Sequence, residues 1–67
     1  MRSYYVRSYC VRNNMFTNGD YVQYGKMFDL VEQGNIHDAS VCIWLCSKTD
    51  KSIEEIEQDL NNLFIEE

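Results

Sequence analysis

The chain is predicted to fold as a small α/β (α+β) domain of order β-α-β-α, two helices packed on one side of a thin sheet. Three observations lead there. A Tyr- and Val-rich run opens the chain, and a continuous apolar run fills residues 40–47. Each run is followed by a segment whose apolar residues recur every three or four positions. With 67 residues, no proline, no repeat and no linker, a single domain over 1–67 is expected. A chain this short buries only about 60% of the surface its unfolded form exposes. Help from a metal, a disulfide or a second subunit is therefore a natural expectation.

The first strand is placed at Ser3 to Arg12, because Tyr and Val favour extended backbone. Its two faces would carry Tyr4, Val6, Ser8 and Cys10 against Tyr5, Arg7, Tyr9 and Val11. Asn13 and Asn14 close it, since Asn tolerates turn dihedrals. A helix over about 18 to 33 follows. Thr17 and Asp20 resemble a capping box, and Phe16 with Tyr21 a hydrophobic staple. Tyr21, Tyr24, Met27, Phe28 and Val31 keep a helical period, Gly25 is the weak point, and Gly34 with Asn35 stops the helix. A hairpin turn at Asn18-Gly19 is the alternative. Ser40 to Ser47 reads as a strand apolar on both faces. Ser52 and Glu55 then form a capping box. Beyond them Ile53, Ile56, Leu60, Leu63 and Phe64 make one apolar stripe opposite Glu54, Glu55, Gln58, Asp59, Asn61 and Asn62. Two helices cover only one side of such a sheet, so the other side calls for a third strand, a second copy or another protein.

Eleven acids against six bases give a net charge of −5, the opposite of the clustered basic composition of nucleic-acid binders. The charge is uneven. Residues 1–16 hold Arg2, Arg7 and Arg12 and no acid, whereas residues 17–67 hold three lysines against all eleven acids, a local −8. No apolar run approaches the ~20 residues that span a bilayer. Met1 to Arg7 lacks the apolar stretch of a signal peptide. A cytoplasmic protein with no membrane partner is expected.

Nothing signals catalysis: His37 is the only histidine, and no HExxH, P-loop or dinucleotide glycine pattern is present. Asp38 beside His37 is better read as a solvated turn, so a non-enzymatic role is expected. Cys10, Cys42 and Cys46 with His37 match the inventory of a tetrahedral zinc site. On an extended strand, however, Cys42 and Cys46 would lie about 13 Å apart, too far for one ion. On a helix they would be about 6 Å apart and able to chelate. Buried thiols are therefore the leading reading and zinc the minority one. No cofactor is required. The last helix carries an acidic face suited to a basic protein partner. Tyr5, Arg7 and Tyr9, on one face of the first strand, have the composition enriched at interface hot spots.

In length, in lacking an enzymatic signature and in its acidic patch Glu54, Glu55, Glu57 and Asp59, the chain resembles the small anti-CRISPR inhibitors of phages and mobile elements. Those proteins share no common fold, so the resemblance assigns no residue roles. It implies an inhibitor that binds a Cas nuclease in the host cell and blocks DNA loading. From the acidic helix face and the Tyr-Arg strand face read above, the expected contact residues are Glu54, Glu55, Asp59, Tyr5, Arg7 and Tyr9. The alternative is a self-associating or zinc-stabilised structural or regulatory domain, a homodimer included.

Overall fold

A computed structural model describes residues 2–15 and 21–65, with the side chains of 21–23 left aside. It contains four helices: α1 (Arg2–Arg12), α2 (Tyr21–Glu32), α3 (Ile36–Cys46) and α4 (Ile53–Ile65). No strand occurs among the described residues. The expected β-α-β-α sheet is therefore corrected to an all-helical domain. With the sheet goes its uncovered face, one of the two reasons for expecting a partner; the acidic face of the last helix is the other. The helices form a closed ring, each packing on its chain neighbours and α1 packing on α4.

The first correction is α1. Its Tyr and Val content favours strand, but that preference describes fitness for a half-buried pleated surface and yields to packing. Val6, Tyr9 and Cys10, spaced three and one apart, are buried together, which is a helical stripe. The helix end is also specified. Asn14 takes a left-handed φ of 54°. The Asn14 amide donates to the Val11 carbonyl at 3.3 Å, and the Met15 amide to that of Cys10 at 2.9 Å. This is a Schellman closure with Asn in the place usually held by Gly, and Met15 turns into the core behind it.

Helix α2 begins at Tyr21 and buries Met27 and Val31. The proposed Thr17–Asp20 box, the Phe16 staple and the Asn18-Gly19 turn involve residues 16–20, outside the described residues. At the other end Gly34, φ 82°, repeats the same closure. Its amide donates to Val31 and that of Asn35 to Leu30, at 3.0 and 2.9 Å.

The second correction is α3, where a strand was expected over 40–47. Asn35 caps it, accepting from the Asp38 amide at 3.4 Å and donating its side-chain amide to the Asp38 carboxylate at 2.8 Å. An Asn-x-x-Asp box thus precedes the apolar run. In helical form the run splits: Ala39, Cys42 and Ile43 are buried, while Trp44 and Leu45 stay exposed. Ser40 is fully buried, and its hydroxyl donates to the Ile36 carbonyl at 2.8 Å. A strand with no partner ladder would leave its buried amides unpaired, whereas a helix pairs them internally.

Helix α4 follows the predicted cap and stripe. Ser52 Oγ accepts from the Glu55 amide at 3.2 Å. Ile56 and Leu60 are fully buried, with Leu63 and Phe64 packed against the core.

Candidate interaction surfaces

The six residues proposed for partner contact separate into a structural pair and exposed groups. Tyr9 and Asp59 form the structural pair. Tyr9 is only 5% exposed, and its hydroxyl donates to Asp59 Oδ2 at 2.7 Å across the α1–α4 contact. Lys51 Nζ donates to the same oxygen at 2.8 Å. Burial alone would raise the Asp59 pKa, but the hydrogen bonds from Lys51 and Tyr9 outweigh it and hold the carboxyl below its ordinary value. Burial and the Asp59 carboxylate push the Tyr9 hydroxyl well above its own. Asp59 is spent on holding α1, and Tyr9 is sealed inside the domain.

Glu54 and Glu55 are exposed at the start of α4, and Glu57, one turn on from Glu54, is half-buried. Carboxylates in the first turn suit the positive end of the helix dipole, so the acidic face also steadies the helix that bears it. His37 Nδ1 lies 3.1 Å from Glu57 Oε2, which accepts its hydrogen in the tautomer that protonates Nδ1. His37 is thus oriented from α4, while Asp38, its sequence neighbour, is engaged by Asn35.

Tyr5 lies one turn from Tyr9 on α1, but Arg7 does not share their face as a strand would require. At 3.6 residues per turn, Arg7 points away from the buried side and joins Tyr4, Ser8, Val11 and Arg12. These five line an open groove along the outer side of α1. Tyr5 is partly exposed, its ring edge-on to Tyr4 with centroids 5.8 Å apart. Arg2 is engaged, its guanidinium 5.1 Å from the Phe64 ring centroid. Ser3 donates its amide to Glu32 at 3.0 Å, so α2 supplies the acid that the first turn of α1 lacks.

The proposed zinc residues do not assemble. Helical α3 does place Cys42 and Cys46 one turn apart, the arrangement that would permit chelation. Yet His37 is exposed and tied to Glu57, while Cys10 and Cys42 are buried in the core. Among the described residues no three His, Cys, Asp or Glu side chains are grouped so as to hold an ion. Burial, with the Cys42 thiol nearby, pushes the Cys10 thiol up to about 12. That is the behaviour of an inert core thiol.

Sequence reasoning missed the Tyr9–Asp59–Lys51 network and the α1 groove. The spacing of Val6, Tyr9 and Cys10 carried the signal for the helix that creates both. No helix among the described residues is long and apolar enough to cross a membrane. The chain matches no protein-family model, and no curated protein or solved structure is found similar to it.

Proposed function

We propose that the protein is a non-enzymatic interaction module whose acidic face engages a basic surface on a nucleic-acid-handling enzyme and inhibits it, as an anti-CRISPR protein does to a Cas nuclease. One observation carries this reading. The α4 carboxylates Glu54 and Glu55 stand exposed on a capped helix, and the one base among residues 50–67, Lys51, is already neutralised by Asp59. A fixed, uncompensated negative surface accelerates encounter with a basic partner and selects its orientation. The partner's own nucleic acid would compete for the same basic surface.

The test is retention of purified Cas nucleases and other basic nucleases on the immobilised protein, at low and high salt. Binding should weaken as salt rises and should fall in the Glu54→Gln/Glu55→Gln variant. Captured enzyme should lose DNA loading in proportion to occupancy. If no nuclease is retained at any ionic strength, the proposal fails.

A further inference from the structure

The outer face of α1 has the opposite character to α4. Tyr4 and Val11 are 63% and 69% exposed, although both are large and apolar. They lie seven residues apart, about 10 Å along the helix, with Ser8 between them. Arg7 flanks this stripe on one side and Arg12 on the other, and the five residues line one groove. Neither arginine forms an ion pair among the described residues, and residues 1–16 contain no acid. The inward side of the same helix, Val6, Tyr9 and Cys10, is already buried against the core. Tyr4 and Val11 therefore lie outside the core, with Tyr4 meeting the Tyr5 ring edge-on.

We propose that this groove is a second docking surface and that it takes an acidic peptide segment of a partner protein. The segment would seat one or two apolar side chains on Tyr4 and Val11 while carboxylates on either side meet Arg7 and Arg12. Guanidinium groups are suited to that task, since each presents a planar fork to a carboxylate and sheds water readily. Charge disfavours a copy docked through the same face and the polyanionic alternatives. A second copy docked through the same face would set Arg7 and Arg12 against their own counterparts. Nucleic acid or an anionic lipid surface would satisfy the arginines but carries an extended array of negative charge that the eleven acids of the chain would repel, whereas a short peptide need meet only the acid-free residues 1–16. With α4 serving a basic surface and α1 an acidic one, the domain presents two faces of opposite sign.

The experiment pans a displayed library of short random peptides against the full chain at low ionic strength. Fluorescence anisotropy then measures enriched peptides against the wild type and three double variants: Arg7→Gln/Arg12→Gln, Tyr4→Ala/Val11→Ala and Glu54→Gln/Glu55→Gln. All six substitutions lie on exposed positions, so the far-UV circular dichroism of each variant should match the wild type and serves as the control for folding. The expected peptides pair acidic residues with apolar anchors. They should lose about tenfold or more in affinity in the first two variants, change little in the third, and weaken with salt. Basic or neutral peptides, no enrichment, or affinity unchanged by loss of the arginines would overturn the proposal. So would binding of single-stranded DNA or phosphatidylglycerol vesicles, in place of peptide, that the arginine variant abolishes. A dimer seen by light scattering that the arginine variant dissolves would assign the face to a second copy and overturn it too.

Discussion

Helices α1 and α4 lie against each other yet owe their structure to different things. Helix α4 carries its own instructions: a serine cap, acids in its first turn and an uninterrupted apolar stripe. Helix α1 is built from residues that favour strands, with no acid in its first turn, and it takes its support from neighbours. Glu32 receives its Ser3 amide, Phe64 underlies Arg2, and Asp59 holds Tyr9. In a small domain one self-specified helix can template another. The same contrast appears in charge, with the self-sufficient helix acidic and the supported one basic.

The largest effect should come from the shared core. Leu60→Ala empties a fully buried site and should cost about 2–5 kcal/mol. A domain of this size has roughly 3–10 kcal/mol in all. Urea melts should show the midpoint collapsing, and a loss confined to α4 would contradict the shared core.

Next comes the bond between the helices. Asp59→Ala leaves the buried Tyr9 hydroxyl unpaired and should cost about 1–3 kcal/mol. Amide exchange should accelerate in α1 more than in α4. The pH dependence has a defined sign. The folded Asp59 pKa lies below its unfolded value, so its stabilisation is complete above the ordinary Asp range and is lost as pH falls through the lowered value. The variant should therefore show a flatter acid limb in its stability curve. Cys10 works in the other direction. Raised from 9.0 to about 12, it contributes fully below pH 9 and loses that contribution as pH climbs toward 12. The raised Tyr9 hydroxyl adds to the same alkaline loss.

Smaller effects separate local from borrowed support. Ser52→Ala removes the α4 cap and should cost about 1 kcal/mol, with fraying confined to α4. Glu32→Gln, at an exposed contact, should loosen the start of α1 by less, read from exchange of the Ser3 amide. Gly25→Ala should move the other way. A methyl there meets nothing within 4 Å, so relief of glycine's chain entropy should add about 0.5–1 kcal/mol.

How much of this was legible in the sequence follows from the same division. The Ser52 box, the α4 stripe and the Gly34 stop are local signals, and local signals can be read directly. The Asn35-x-x-Asp38 box was equally local, but the apolar run after it matched a buried strand as well as a helix. Period cannot separate the two in so short a run. The fate of α1 depended on residues far away: Tyr9 meets Asp59 fifty positions later. For that reason the proposed contact set mixed exposed Glu54, Glu55 and Arg7 with two groups bound to each other. Placing Arg7 beside Tyr4 and Val11 required knowing that the segment is helical.

The direct test is the backbone conformation of residues 3–12 and 40–46 in solution, measured as 13Cα secondary chemical shifts. Four helices require consecutive positive shifts through both segments, ending near Asn13 and Ser47. Consecutive negative shifts, with cross-strand Hα–Hα contacts between the two segments, would restore the sheet and contradict the all-helical fold together with both surfaces built on it.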